Sequence, residues 1–270
     1  MLDLRGRVAI VTGSSGGIGR AVAWELAARG ARVVLNGRRA DRLQAAEREL
    51  AAEGAAVLAV QADVLSPEDS DALVRRTLEA FGRLDILVAN VGISMRGSFE
   101  EIAPEVFRRT MDQNVLASVY PVRASLAELR RTRGSIVFVS SAAGIRGLPW
   151  ISAYSAAKMA LTALAESLRM ELHGSGIHVG IVYVGLTEND PDKLILGADG
   201  GLIPLARRDS RVVQTRQQVA RGIVRAIRKR RFKTVLSAMG KLNAVATRLA
   251  PRISERIILA YLKRNRGFYQ

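Results

Sequence analysis

The chain has 270 residues, 49% hydrophobic and 24% charged, a size and composition that fit one α/β domain with a substantial core. The absence of cysteine excludes disulfides, thiolate metal sites and thiol catalysis, and only two histidines, His173 and His178, argue against a His-rich metal centre. The formal charge of +16 sits in the last quarter: residues 207–270 carry 18 Lys/Arg against Asp209 and Glu255, whereas residues 1–206 carry 23 of each sign.

Residues 1–6 run straight into an apolar strand with no charged-then-apolar leader, and no run of about 18 apolar residues follows, so the expectation is a cytoplasmic chain that does not span a membrane. Val8-Ala9-Ile10-Val11 reads as that strand. It ends at Thr12-Gly13-Ser14-Ser15-Gly16-Gly17-Ile18-Gly19, and helix formers resume over residues 20–29. Glycines let the backbone turn tightly and approach a ligand, and the N–H groups and positive dipole end of the following helix favour an anion. The loop therefore suits a pyrophosphate.

Arg32-Val33-Val34-Leu35-Asn36 is the second strand, followed by Gly37-Arg38-Arg39. In dinucleotide-binding folds an acidic residue near this point binds the adenosine ribose, and an arginine instead accommodates a 2′-phosphate. Here the carboxylate is missing and two arginines follow, which predicts NADP over NAD, with Arg38 as the phosphate partner and Arg39 assisting.

Residues 41–53 read as an amphipathic helix closed by Gly54, and residues 56–61 as a third strand running into Asp63-Val64. Ser66-Pro67-Glu68-Asp69 is a helix start, with Ser66 as N-cap and Pro67 at the first helical position, and Gly82 closes that helix. Residues 84–89 form the fourth strand, leading into Asn90-Val91-Gly92. Residues 104–129 form one long helical stretch containing Asn114, and residues 135–139 form the fifth strand, which delivers Ser140-Ser141 at its end. The βα alternation predicts a Rossmann-like, doubly wound parallel sheet whose ligands bind beyond the strand C-termini. Ser141, Asn90, the glycine loop and Arg38 all sit at such ends.

A helix over residues 153–173 carries Tyr154-Ser155-Ala156-Ala157-Lys158. Residues four apart share a helix face, and a lysine cation beside a phenol favours phenolate, so this tyrosine can exchange protons near neutral pH. A Tyr-x-x-x-Lys spacing alone is weak; its surroundings decide. Residues 178–182 form the sixth strand, left through Gly185-Leu186-Thr187. A Gly/Asp-rich segment over residues 188–210, with Leu194, Ile195, Leu196, Leu202, Ile203 and Leu205, predicts a lid over a hydrophobic substrate. Residues 216–230 then form a helix and residues 233–236 a last strand.

Residues 1–239 are expected to form the dinucleotide-binding and catalytic domain, and residues 240–270 a basic extension. In that extension Leu242, Val245, Ala246 and Leu249 fall at i, i+3, i+4, i+7. After Pro251, Ile253, Ile257, Ile258, Tyr261 and Leu262 form a second apolar face opposed by Arg252, Arg256 and Lys263. Two short amphipathic helices need a surface to lie on. Docking over the substrate opening is the favoured expectation, with contact to an anionic membrane second.

Taken together, Thr12-Gly13-x-x-x-Gly17-x-Gly19, Asn90, Asn114, Ser141 and Tyr154-x-x-x-Lys158 resemble the short-chain dehydrogenase/reductase family over roughly residues 5–236. The resemblance implies that Tyr154 is the general acid/base, that Ser141 hydrogen-bonds the substrate oxygen, and that Lys158 lowers the Tyr154 pKa and holds the nicotinamide ribose. It also implies that Asn114 positions a water relaying protons to Lys158. It assigns Gly13, Ser15, Gly17, Ile18 and Gly19 to the pyrophosphate, Asp63 and Val64 to the adenine, Asn90 and Gly92 to the cofactor wall, and Gly185 and Thr187 to the nicotinamide side.

Two motifs depart from the family pattern: Asn-Asn-Ala-Gly is Ala89-Asn90-Val91-Gly92, and Pro-Gly after the sixth strand is Val184-Gly185. The extension is similar in its basic amphipathic character to hydroxysteroid- and lipid-active members. The implied function is NADP-dependent interconversion of a ketone or aldehyde and an alcohol on a hydrophobic small molecule, by a homodimer or homotetramer. The rival is a dinucleotide-binding regulatory or scaffold protein without turnover, which has no need of Ser141. Nucleic-acid binding by the tail lacks a recognisable motif.

Overall fold

The structure is a computed structural model that describes residues 1–190, 192–205 and 213–264, with side chains through residue 260. Alternation along the first strand sets up its layers. In β1 (Val8–Val11), Val8 and Ile10 enter one core and Ala9 and Val11 the other, and all four are buried, as a central parallel strand requires. β2 (Arg32–Gly37) and β3 (Val57–Gln61) extend the sheet on one side of β1. On the other side lie β4 (Ile86–Ala89), β5 (Ser135–Ser141) and β6 (His178–Val184). β7 (Leu194–Leu196) and β8 (Leu202–Pro204) form a separate antiparallel hairpin, and β9 (Lys233–Val235) closes the main sheet beside β6.

The seven-stranded order is β3-β2-β1-β4-β5-β6-β9, parallel throughout. Sheet growth reverses between β1 and β4, so a ligand crevice opens beyond their C-terminal ends. Helices α1 (Gly17–Ala27), α2 (Ala40–Ala52) and α7 (Arg216–Arg228) cover the Ala9/Val11 face, and α3 (Pro67–Phe81), α5 (Ala117–Thr132) and α6 (Ser152–Glu171) cover the Val8/Ile10 face.

Local chemistry fixes several boundaries. Ser66 Oγ accepts the Asp69 N–H at 3.0 Å, Pro67 begins α3, and Gly82 ends it at φ 71°. Thr215 and Gln218 form a reciprocal capping box on α7.

Three features differ from the sequence expectation. The helical stretch from α4 (Pro104–Met111) to α5 is interrupted by a π-helical turn, Asp112–Leu116, that contains Asn114. The lid holds the β7–β8 hairpin, anchored by a bridge from Leu196 to Met95; its positions 191 and 206–210 lie outside the described residues. The extension forms α8 (Ala238–Leu249) and α9 (Pro251–Arg264), but the described large side chains of its apolar faces point outward rather than docking over the substrate opening. Leu242 is 70% and Leu249 77% exposed. The small face of α8 is the one that fits: a Cβ on Gly240 would lie 2.8 Å from both Val235 Cγ1 and Ser237 Oγ, so close approach selects glycine and turns the large residues outward. The side chains of Tyr261, Leu262 and Lys263 lie outside the described residues.

Candidate active site

The glycine loop is positioned by side chains from three strand ends. Gly13 and Gly17 adopt φ 62° and 56°, where a side chain is strained, and Gly19 packs so tightly against the Gly13 carbonyl that no Cβ fits. Asn90 donates its amide to Thr12 O at 3.0 Å and Gly13 O at 3.3 Å, while Thr12 Oγ1 accepts the Asn90 N–H. Asn90 therefore pins the loop to the end of β4.

A second tie runs through Asn36, which the sequence reading passed over. Its side chain accepts Gly13 N–H at 3.4 Å and donates to Ala62 O at 3.1 Å, joining loop, β2 and β3, and Ser14 Oγ accepts its backbone N–H at 2.9 Å. The position was visible as the end of a strand, but its polarity there had no local explanation.

Past β2, a Cβ on Gly37 would press within 3.0 Å of Ser15 Oγ, so glycine lets the loop lie against the strand end. Ile18 packs against the core beneath α1. Arg38, Gln61, Ala62, Asp63 and Asp69 line a cleft here. The two carboxylates are held by backbone, since Asp69 accepts Asp63 N–H at 2.8 Å and Asp63 accepts Leu65 N–H at 3.1 Å. Val64 is buried below them. Arg38 is 64% exposed and only 3.9 Å from Asp63, a loose pairing that leaves the guanidinium available to an anion. Arg39 is instead engaged with Asp41 at 2.7 Å. Arg38 is thus the cation of the cleft.

At the other end of the crevice, α6 is clamped to β5. Ser140 Oγ donates to Lys158 O at 3.3 Å, Lys158 Nζ donates to Val139 O at 3.3 Å, and Thr162 Oγ1 donates to Gly144 O at 3.0 Å. Ser141 caps a 3-10 turn, Ala142–Gly144, by accepting the Ala143 N–H at 3.2 Å. That bond occupies a lone pair and leaves the hydroxyl proton to donate elsewhere.

Lys158 is 4% exposed, and its Nζ lies 5.6 Å from the Tyr154 ring centroid, so the two share one face of α6. Burial, reinforced by the positive charge of Lys193, pulls the Lys158 pKa down to about 8. Asn114 is fully buried. Its amide donates to Ile93 O at 2.9 Å and Thr110 O at 2.8 Å, while its Oδ1 has no partner among the described residues. Gly92 lies against both groups: a Cβ there would overlap Asn114 Oδ1 and sit 3.0 Å from Lys158 Nζ. α6, the π-helical turn and the segment after β4 thus bring Tyr154, Lys158, Asn114 and Gly92 together, and Lys158 reaches Val139 on the strand that ends in Ser141.

Around Tyr154 lies an apolar cluster that includes Met95, Val106, Ile151 and Leu196, with Ile93 and Leu148 partly buried. Trp150, just before α6, holds φ 59°, a conformation uncommon for a bulky residue, and its carbonyl accepts Gly97 N–H at 3.2 Å.

The lid contributes an arrangement that no local motif announced. Thr187 is buried and donates to Gly185 O at 3.2 Å, and Gly185 has no room for a Cβ, which would lie 2.6 Å from Ser237 Oγ. Beyond it, Arg216 pairs with Glu188 at 3.2 Å and with Asp190. The Arg216 backbone N–H, followed by its side chain, holds the Glu188 carboxyl below the usual carboxylate range. Asp190 Oδ2 lies 3.2 Å from where a Cβ on Gly17 would stand, so a lid carboxylate rests against the glycine loop.

The fold and the family agree from independent directions. The short chain dehydrogenase model matches residues 7–195. The 11-beta-hydroxysteroid dehydrogenase 1A of Arabidopsis thaliana is 39% identical over 245 residues, covering 86% of this chain and 69% of that protein. A short chain dehydrogenase/reductase from Burkholderia phymatum in complex with NAD shares the fold at TM-score 0.79 and 24% identity, covering 92% of this chain and 96% of that one. An alcohol dehydrogenase from Thermococcus sibiricus complexed with 5-hydroxy-NADP superposes at TM-score 0.75 and 27% identity, covering 87% and 97%. The seven-stranded parallel sheet, the glycine loop at its switch point and the matched 7–195 span make this chain a member of the short-chain dehydrogenase/reductase family of oxidoreductases.

Proposed function

We propose that this protein is an NADP-dependent oxidoreductase that interconverts a ketone or aldehyde and an alcohol on a hydrophobic substrate. The observation that carries the reading is the joint placement of Tyr154 and Lys158 on one face of α6, with Lys158 buried beside Asn114 and α6 clamped to the strand that ends in Ser141. A buried ammonium with no carboxylate at hydrogen-bond distance among the described residues is costly, and such cost is typical of a working group.

The residues fit a dinucleotide. The glycine loop at the start of α1 suits the pyrophosphate, Asp63 and Val64 border the adenine end, and Lys158, Thr187, Asn90 and Gly92 border the nicotinamide end. Arg38 faces a cleft where a 2′-phosphate finds a cation and Gly37 offers no competing carboxylate, which supports NADP over NAD. The bound dinucleotide supplies the hydride in reduction and accepts it in oxidation.

The chain's own groups handle charge and protons. As negative charge develops on the carbonyl oxygen, the Ser141 hydroxyl and the Tyr154 phenol serve as its donors, and Tyr154 transfers its proton. The Lys158 ammonium stabilises the phenolate that remains. Asn114 Oδ1, an acceptor lacking a partner among the described residues and lying beside Lys158, accepts from the group that returns a proton to the lysine. In oxidation Tyr154 takes the proton instead. The apolar cluster around Tyr154 and the hairpin residue Leu196 favours an apolar substrate body, the character named in the Arabidopsis relative.

The test is Tyr154→Phe, which removes the proton donor and keeps the ring. Turnover of ketones with NADPH should vanish while NADPH still quenches or enhances protein fluorescence with unchanged affinity. Near-normal turnover by the variant would assign the site to binding without this chemistry.

A further inference from the structure

α8 and α9 are assembled in the reverse sense of a helix packed on a globular core. The side of α8 turned inward carries buried Gly240 and half-buried Asn243, Ala244 and Thr247, and α9 turns Ser254 inward at 4% exposure. The outward side of α8 carries Met239, Leu242, Val245 and Leu249, exposed between 55% and 77%, and α9 continues it with Ile253 at 60% and Ile257 at 62%. An ordinary surface helix buries its apolar stripe and exposes its polar one. Six large apolar side chains exposed on one adjoining helix pair mark an interaction surface.

The charge around this patch selects the occupant. Residues 240–270 contain seven Lys/Arg and one acid, Glu255, and Lys241, Arg248, Arg252 and Arg256 are all exposed beside the apolar residues. A second copy of the chain seated on the patch would bring the same positive charge to it. An anionic lipid surface offers both complements at once: headgroups for the cations and an acyl boundary for the apolar residues. Neither helix spans a bilayer, since α8 has 12 residues and α9 14, and no described helix is long and apolar enough to cross one.

We propose that α8 and α9 lie in the interface of an anionic membrane and hold the protein there peripherally. The patch is tied to the active-site end of the sheet. Arg146, in the loop leaving Ser141, donates to Pro251 O at 3.5 Å, and Gly185 packs against Ser237 at the start of α8. Membrane contact therefore sets the substrate side of the molecule beside the bilayer. The binding surface itself is independent of the proposed reaction.

The full chain is sedimented with vesicles of phosphatidylcholine alone and of phosphatidylcholine mixed equally with phosphatidylglycerol. Binding to the mixed vesicles is expected, weakening as salt is raised. Two variants, Leu242→Ser with Leu249→Ser, and Lys241→Gln with Arg248→Gln, Arg252→Gln and Arg256→Gln, should each lose about tenfold or more in vesicle partition. Their thermal midpoints and dinucleotide binding should stay at wild-type values, because the altered groups face outward. Equal binding to both vesicle types, no binding to either, or unchanged partition of the serine variant would overturn the proposal. So would a serine variant that lowers the sedimentation mass of the free protein while keeping its vesicle binding, which would assign the face to a second copy.

Discussion

Asn114 Oδ1 and Lys158 Nζ crowd the same point above Gly92, so the absence of one methyl group there lets the π-helical turn, the end of β4 and α6 meet. Gly92→Ala should place a carbon in contact with both polar atoms. We expect a loss of about 1–3 kcal/mol in stability and at least a tenfold fall in turnover, with the Arg38 end of the dinucleotide site unaffected. Thermal melts alongside steady-state rates separate the two effects. Wild-type turnover in the alanine variant would show that the Asn114–Lys158 approach does not matter to the chemistry.

Lys158 should trade stability for activity. Its pKa in the folded protein is about 8 against 10.5 for an ordinary lysine, so the unfolded chain binds the extra proton between these values and stability rises with pH from about 8 to 10.5. Lys158→Met removes the buried cation. At pH 7 the variant should be more stable by about 1–3 kcal/mol, the full shift being discounted for the lost bond to Val139 O, and the gain should shrink toward pH 10. Denaturant unfolding at both pH values reads this directly, and turnover should be lost throughout.

Below neutrality the sensitive group is His178. It is 6% exposed on β6, its Nε2 lies 3.2 Å from Arg231 O, and its Nδ1 is buried without a partner among the described residues. The carbonyl fixes the proton on Nε2, so acid must protonate the unpartnered Nδ1. Burial, with repulsion from Arg230 and Arg169 outweighing the pull of that carbonyl, holds the pKa down to about 4. The stabilisation is complete above the ordinary value of about 6.5 and is lost progressively as pH falls toward 4, amounting to up to about 3 kcal/mol. A urea midpoint that is flat from pH 7 to 4.5 would refute this, and His178→Gln should flatten it.

Arg38→Ala should weaken NADP binding by about 10- to 150-fold and leave NAD binding unchanged, the range expected for one charge-assisted phosphate pair. Calorimetric titration of the two cofactors gives the comparison. Equal losses for both would mean that Arg38 does not read the 2′-phosphate. Arg39→Ala should have the smaller effect, since Arg39 is engaged by Asp41.

Asp190 rests its carboxylate against Gly17, where a pyrophosphate also carries negative charge. Asp190→Asn should tighten dinucleotide binding by about two- to fivefold, the size of a helix-terminus charge effect, and the gain should diminish at high salt. Weaker binding in the asparagine variant would instead make the Asp190–Arg216 pair a support of the bound state.

What was legible in the sequence was what neighbouring residues decide. Ser66, Pro67 and Gly82 bound α3 by themselves, and the glycine loop announces its own strand and helix. The placement of Tyr154 and Lys158 follows from one helical turn. Contacts across the chain were not legible: nothing near Asn36 tells of Ala62, and nothing near Asp190 tells of Gly17 or Arg216. The tail shows a third limit. Its periodicity correctly marks an apolar face on α8, but which way the face turns depends on how closely Gly240 approaches Val235. Direction is a packing property, and periodicity has none.

The π-helical turn at Asp112–Leu116 holds one residue more than the facing of the helix requires. Val106, Thr110, Asn114, Ser118 and Val122 are buried at steps of four, and in a regular helix each step of four overshoots a full turn by about 40°. One surplus residue in the turn cancels about 100° of that drift, so the buried residues of α4 and α5 stay on their own sides. Deleting one residue between 112 and 116 would remove the surplus and the correction together, leaving a regular helix whose two flanking faces keep their relative direction. The change would instead fall on Asn114, whose buried bonds to Ile93 O and Thr110 O depend on the wide turn, so the extra residue serves one side chain at the site rather than the packing of the helix.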